Sequence, residues 1–386
     1  MFSWFKNLQI FDIMSSKKKL LVNMSSIGQQ LTGLGVYSEK CAECLEQNFP
    51  VHILTSFYKP LNSSEVIKSP KEISIKNNKY SAILRLIYSF SGLFKRDYYV
   101  YNPTHSGFFF IKNQILTIHD LICINYPAQH KFQYLYFKYF IPLLIHSSNA
   151  IFTVSNSSKA ELLNHYGTYL KEKKINVVYN GVDLDVFNPI NPCLIKNSQG
   201  LNSSQKFLLA VGAAFSHKNL HEILENHHLW SDTCILKIVG SSGDYKKFLF
   251  EYAEKLGILS SVEFLGYVEI SELVNLYRSC EALIYPSLCE GFGIPPLEAM
   301  ACGAPVIVSD LDVHKEILSS VPLYITPSNK ESWAAAFLTL FNERSTIESK
   351  IAYGLEHVKS FTWELSCNQL VTSIIETFPE LNKNLL

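Results

Sequence analysis

The stretch from Ala282 to Val308 reads ALIYPSLCEGFGIPPLEAMACGAPVIV, and its reading decides the fold. Its two ends, 282 to 285 and 305 to 308, are apolar runs of strand length. Between them lies a polar, glycine-bearing loop, then an apolar helical stretch opening on Pro295 and Pro296, residues suited to a helix's first turn. Strand, loop, helix, strand is one step of a parallel sheet. The same alternation extends outward from it, with strands expected at 207 to 211, 234 to 239, 262 to 265 and 323 to 325 and helices between them.

Upstream, residues 189 to 206 carry Pro189, Pro192 and a run of Asn, Ser, Gln and Gly, which is linker composition. Before the linker the alternation appears again. Strands are read at 19 to 24, 51 to 55, 115 to 119, 150 to 154 and 175 to 178, with helices at 34 to 48, about 131 to 146, and from Ser157 onward. The expected fold class is therefore α/β, with two Rossmann-like doubly wound domains facing each other across a cleft. The divisions are a leader at 1 to 18, a first domain at 19 to 188, the linker, a second domain at 207 to 360, and a last helix within 361 to 386 expected to cross back onto the first domain.

The 386 residues are 47% hydrophobic and 18% charged, below the roughly 25% charged fraction of average chains, which excludes general disorder. The zero net charge hides a split. Residues 1 to 190 hold 20 basic and 12 acidic side chains, whereas residues 191 to 386 hold 14 and 22. Thirty of the 50 aromatics also lie in the first half, so the first domain is expected to meet something more anionic and less polar than the second does. No nucleic-acid motif accompanies the basic half. No apolar run approaches the ~18 residues of a spanning helix. The aromatic stretch Met1 to Ile13 precedes Lys17, Lys18 and Lys19, the wrong order for a secretory signal. It reads either as a leader ahead of a start at Met14 or as a membrane-surface anchor. Nine cysteines, spread from Cys41 to Cys367, argue against a disulfide framework and for a cytoplasmic chain, with Cys41 and Cys44 read as helix packing.

In open parallel sheets, ligands bind beyond the carboxyl ends of the strands, so the chemistry is sought in the loops that follow them. Gly33-Leu34-Gly35-Val36-Tyr37 opens the first helix, where glycines admit a ligand to the backbone and a helix N-terminus favours anionic oxygens. It is not a dinucleotide fingerprint, since position 38 is Ser. His119-Asp120-Leu121 ends a strand; His119 is either an interior side chain or a polar group at the cleft mouth, and Asp120 either caps a turn or joins the site. Lys218 follows the strand at 207 to 211 and is read as opening a helix, where an ammonium and backbone amides can surround a phosphate. In the deciding stretch, Glu290 and Glu298 flank the amides of Gly291, Phe292, Gly293 and Ile294. Carboxylates for sugar hydroxyls and amides for phosphate suit a polyhydroxylated ligand bearing a diphosphate. Asp310-Leu311-Asp312 resembles a metal-binding DxD but is read as a helix cap, so no metal is expected.

The spaced Glu290 and Glu298, the GxGxY-like loop, the HDL, TVSNSSKAEL at 153 to 162, VVYNGVD at 177 to 183 and the Lys218 loop together resemble the retaining glycosyltransferases of family 4. They occur in that family's order from about residue 19 to 375, and members that assemble bacterial O-antigen, mannosyltransferases above all, are the most similar. The resemblance implies a GT-B fold and a nucleotide-sugar donor with no cofactor. It also implies that Glu298 binds the ribose, Glu290 the transferred sugar, Lys218 and the Gly35 amide the diphosphate, and Tyr267 and Val268 the base, with His119 beside the reacting carbon. Where many members carry an arginine near Lys218, this chain has Ala213 and His217. The aromatic run from 126 to 140 holds Tyr126, Lys131, Tyr134 and Lys138 as candidates for the acceptor side, either as core helix or against an anionic membrane. A polyprenyl-diphosphate-linked glycan, handled at the inner face of the cytoplasmic membrane, is the acceptor that reading implies. An epimerase built on the same architecture remains the other reading.

Overall fold

The structure is a computed structural model and describes residues 18–29, 33–61, 64–74, 80–189, 205–212 and 214–384. The leader and nearly all of the linker lie outside them. The first sheet and its helices comprise β1 (Lys19–Asn23), α1 (Gly33–Asn48), β2 (Val51–Thr55), β3 (Glu65–Lys68), α2 (Ser81–Ser89), β4 (Tyr98–Asn102), β5 (Gln114–Thr117), α3 (Ile122–Asn125), α4 (Lys131–Tyr139), α5 (Ile141–Ser147), β6 (Ala150–Thr153), α6 (Asn156–Leu170) and β7 (Lys174–Val177). The second comprises β8 (Phe207–Val211), α7 (Leu220–Glu225), β9 (Ile235–Val239), α8 (Gly243–Lys255), β10 (Val262–Phe264), α9 (Ile270–Ser279), β11 (Ala282–Tyr285), α10 (Ile294–Ala301), β12 (Val306–Ser309), α11 (Asp312–Leu318) and β13 (Leu323–Ile325). Helices α12 (Lys330–Asn342), α13 (Arg344–His357) and α14 (Trp363–Thr377) follow.

Both sheets are parallel throughout. Their orders are β3-β2-β1-β4-β5-β6-β7 and β10-β9-β8-β11-β12-β13. The strand order reverses between β1 and β4 in the first sheet and between β8 and β11 in the second. Loops leaving β8 and β11 therefore diverge to opposite faces and open a crevice, which is where Lys218 and Glu290 stand. The central strands are buried on both faces: β11 and β12 have no exposed residue, as parallel strands between helix layers require.

Every strand read from the sequence is present, and two more appear. β3 exposes most of its length and β4 opens on the half-buried Tyr98 and Tyr99, so neither shows the continuous apolar run that marks its neighbours. The helix read over 131 to 146 is two helices, broken at Phe140, with Pro142 in the first turn of α5. The expected aspartate cap at 310 to 312 is not formed. Leu311 occupies the cap of α11 with no side-chain bond, Asp312 lies inside the first turn, and Asp310 reaches Lys315 at 3.3 Å. The reading of Cys44 as a packing residue is also corrected, because a disulfide joins it to Cys367 of α14. Cys41, one turn earlier, is a free buried thiol.

Helix α14 packs along α1, and Tyr99 stacks near Phe378 at 4.5 Å between ring centroids. The chain thus returns to the first sheet after finishing the second. At the crossing, the Val182 N–H donates to Phe361 O at 2.7 Å, and Gly181 lies flat against the backbone of Thr362 and Trp363. One apolar cluster runs unbroken from Leu20 and Phe152 through Val182, Leu370 and Ile374 to Leu283 and Met300. A Cβ at Gly181 would stand 2.6 Å from Trp363 Cα, where only backbone is available to move. Gly181→Ala is expected to destabilise the chain by about 1–3 kcal/mol in urea unfolding, the scale of overpacking. Gly167→Ala, where a Cβ would meet nothing within 4 Å, serves as the control and is expected to leave the midpoint in place or raise it.

Candidate active site

Glu290 leaves the loop after β11, and Lys218 ends a 3-10 turn, Ser216–Lys218, after β8. Lys218 therefore precedes α7 rather than opening it: Asn219, in the left-handed region at φ 59°, separates the two. The lysine ammonium donates to Glu290 Oε1 at 2.6 Å and to Tyr285 Oη at 2.9 Å, and lies 5.1 Å from the Tyr285 ring centroid. Both side chains are largely withdrawn from solvent, at 17% and 8% exposure. Burial alone would neutralise each of them. It is outweighed in both: Glu290 raises Lys218 and Lys218 lowers Glu290, so the pair stays ionised. His217 is buried and held neutral, its pKa lowered to about 4 by burial and by the adjacent Lys218. The imidazole thus adds no charge where the resemblance would place an arginine.

The amides after Glu290 are presented by necessity. Gly293 caps α10 with φ at 94°, a conformation side chains rarely adopt, and Pro295 and Pro296 fill the first turn without N–H groups. With the two prolines lacking N–H groups, the backbone donors at this end of α10 belong to Gly291, Phe292, Gly293 and Ile294. One turn on, Glu298 accepts from Tyr277 Oη at 2.9 Å. Burial pushes its carboxyl up to about 7, partly offset by that hydrogen bond.

Across the seam, His119 and Asp120 follow β5. The His119 ring donates from Nε2 to Pro103 O at 2.9 Å and meets Tyr37 edge to face at 4.6 Å. Burial lowers its pKa to about 4, so the imidazole is neutral with Nδ1 as its acceptor. Asp120 accepts from the Ile122 N–H at 3.0 Å, a turn cap, while burial raises its carboxyl to about 6. The His119 carbonyl is pressed against Gly291, with Asp120 Cβ 3.1 Å from where a Gly291 Cβ would stand. Only glycine at 291 allows the two loops to meet. Ser155 and Ser158 of the TVSNSSKAEL segment seal that meeting. Ser155 Oγ donates to Gly291 O at 2.8 Å, and Ser158 Oγ lies 2.8 Å from His119 O and 3.1 Å from Gly291 O.

The structure thus brings Glu290, Lys218, Gly291 to Ile294, His119 and Asp120 to one seam. Gly33 and Gly35 form the start of α1, whose Tyr37 touches His119, and a Cβ at Gly33 would meet nothing within 4 Å. Tyr267 is 80% exposed beyond β10 and Val268 is half-buried beside it. Tyr126 faces the second domain, 5.8 Å from the His217 ring. Lys131, Tyr134 and Lys138 lie on α4, where Lys138 sits 5.6 Å over the Tyr134 ring. Tyr285, Tyr277 and the two serines carry contacts that the motif reading assigned to no one. Among the described residues, no group of three or more His, Cys, Asp or Glu side chains is placed to hold a metal ion, and no helix is long and apolar enough to cross a membrane.

Two parallel α/β domains meeting at a seam of buried carboxylates, a lysine and loop amides define the class of fold, and comparison with known proteins gives the family. Residues 31–186 match the model of Glycosyltransferase Family 4, and residues 194–356 match that of Glycosyl transferases group 1. The O-antigen chain mannosyltransferase RfbU of Salmonella typhimurium is 31% identical over 82% of this chain and 89% of its own length. The O-antigen chain mannosyltransferase B of Escherichia coli is 25% identical over 72% of this chain and 74% of its own. The crystal structure of Anabaena HepE in complex with UDP-glucose superposes with a TM-score of 0.70 at 14% identity, covering 93% of this chain and all of that one. The chain belongs to glycosyltransferase family 4, with the GT-B fold.

Two outcomes test the site's electrostatics. Lys218→Met leaves Glu290 buried without its cation and is expected to cost roughly 3 kcal/mol, the low end for a broken buried pair. Because the orphaned carboxyl then titrates above its unfolded value, the deficit in urea unfolding is expected to shrink from pH 8 to pH 5. Adding Glu290→Gln is expected to recover most of it at pH 8. Separately, Glu298 gains a proton below about 7 and loses acceptor capacity. Nucleoside diphosphate affinity is expected to weaken from pH 8 to pH 6 in calorimetry, and Glu298→Gln to flatten that profile.

Proposed function

We propose that the chain is a retaining hexosyltransferase that moves mannose from GDP-mannose to a polyprenyl-diphosphate-linked or oligosaccharide acceptor during assembly of bacterial O-antigen. The observation that carries the transferase reading is the buried Lys218–Glu290–Tyr285 cluster, with Gly291, the residue after Glu290, packed against the His119 carbonyl of the other domain. The mannosyl choice is supported by the two O-antigen mannosyltransferases among its relatives. A UDP- or dTDP-sugar donor is the second reading, favoured by the UDP-glucose held by HepE. An epimerase of the same architecture would require acid and base groups around the sugar's own carbons. The seam carries His119, Asp120 and Glu290 as titratable groups, so the product formed from a nucleotide sugar alone decides between the two readings.

In this reading the arriving diphosphate takes Lys218 from Glu290, and the freed carboxylate accepts from a sugar hydroxyl. The bond from the sugar's anomeric carbon to the phosphate oxygen breaks, with the departing charge met by Lys218 and the amides of 291 to 294. The acceptor hydroxyl forms the new bond from the same face and gives its proton to the departing phosphate oxygen. His119, whose loop meets Gly291 at the seam, stands beside the carbon on which positive charge develops. Charge compensation of the leaving group comes from the chain itself, so turnover is expected to persist in EDTA. Cytoplasmic placement at the inner membrane face fits the first domain's exposed Phe132, Leu135 and Tyr139, which accompany Lys131 and Lys138 on α4.

The test is incubation of the chain with GDP-, UDP- and dTDP-sugars, one at a time and without acceptor. Slow release of free hexose from GDP-mannose is expected, and to be lost in Lys218→Ala and Glu290→Ala. An isomerised nucleotide sugar would establish the epimerase, and wild-type turnover in either variant would remove the assignment.

A further inference from the structure

Helix α6 begins at the seam and makes contacts that a helix confined to its own domain would not need. The first backbone N–H groups of a helix have no partner within it, and its N-terminus carries a partial positive charge. Ser155 caps one of these groups by accepting from the Ser158 N–H at 2.9 Å. Two more are taken by a carboxylate from the other domain. Glu316 of α11 accepts from the Asn156 N–H at 2.7 Å through Oε1 and from the Ser157 N–H at 2.8 Å through Oε2. Oε1 also accepts from Asn156 Nδ2 at 3.0 Å and from Tyr179 Oη at 3.0 Å. Four donors from the first domain therefore converge on one acidic side chain of the second, and bonds to an ionised acceptor are the strong ones.

The same first turn of α6 holds the site. Ser155 and Ser158 reach Gly291 O and His119 O from the residues on either side of the two amides that Glu316 binds. Moving Glu316 off α6 would withdraw α11, and with it the contact that keeps the 290 loop against His119. Most of the proposed donor side, Lys218, Glu290 and the amides of 291 to 294, lies in the second domain, and the Gly35 amide is the first domain's share of it.

We propose that Glu316 is a positioning residue, an interdomain latch whose carboxylate caps α6 and so sets the closed register in which the His119 carbonyl meets the Gly291 loop. The domains then close on a polar, exchangeable contact: when they part, water can satisfy the amides and the carboxylate alike. The inference rests on the proposed transferase reading only for its effect on turnover.

The experiment compares wild type, Glu316→Ala and Glu316→Gln by small-angle X-ray scattering, by calorimetry with GDP and UDP, and by steady-state turnover of the sugar donor. Glu316→Ala is expected to raise the radius of gyration, to leave the dissociation constant of the diphosphate within twofold, and to lower kcat at least tenfold. Glu316→Gln keeps an oxygen for one amide and is expected to fall between the two on both radius and kcat. An unchanged radius of gyration in Glu316→Ala would overturn the latch, as would a loss of diphosphate affinity in step with kcat, which would make Glu316 a structural part of the second domain. If the wild type turns over no sugar nucleotide, the functional reading fails while the scattering comparison still decides the latch.

Discussion

Two backbones meet where two sheets end: the carbonyl of His119 rests against Gly291, closer than any side chain at 291 would permit. Much of the site's arrangement follows from that approach. It sets the HDL loop of the first domain opposite the amides and carboxylate of the second, and it requires the hydroxyls of Ser155 and Ser158 to satisfy the carbonyls so confined. One apolar cluster spans both domains, and at their working edges ring contacts such as Tyr126 on His217 and Tyr179 on Phe292 are joined by carbonyls, hydroxyls and the Glu316 carboxylate.

The second constraint is the buried ion pair. Lys218 and Glu290 each tolerate burial only because the other is there, and an anionic ligand offers Lys218 an alternative partner. This resolves the charge asymmetry of the two halves. The domain to which the proposed donor groups belong is the acidic one, so under that proposal its attraction for an anion is local, vested in Lys218 and loop amides rather than in net charge. Neutral His217 leaves Lys218 without an adjacent cation to share that task.

The fold was legible because parallel strands buried on both faces announce themselves as apolar runs; β3 and β4 escaped because their outer residues are half-wet. The central site residues were legible for a related reason. Glu290, Gly291 to Ile294 and Glu298 are contiguous, and His119 and Lys218 sit directly after strands, where parallel sheets place ligands. What the sequence hid are pairings between distant segments. Ser155 and Ser158 were visible as part of a motif, but their partners lie up to 136 residues away. Glu316 finds its amides 160 residues upstream, and Cys44 its disulfide partner 323 residues downstream. No local spacing encodes such matches, and Cys44 on its helix read only as a packing residue.

Helix α14 gives the two domains a second connection. Because the chain crosses from the first sheet to the second and then returns, the two bodies are joined by two strands of backbone rather than one. The two run side by side at Val182 and Thr362. A single tether permits swivel in every direction, whereas two adjacent tethers behave as a door hinge and favour rotation about one axis. The disulfide to α1 bolts the returning leaf to its frame. Both connections are thereby pinned beside each other against the first sheet, so any turn of the second domain has its axis at Val182 and Thr362.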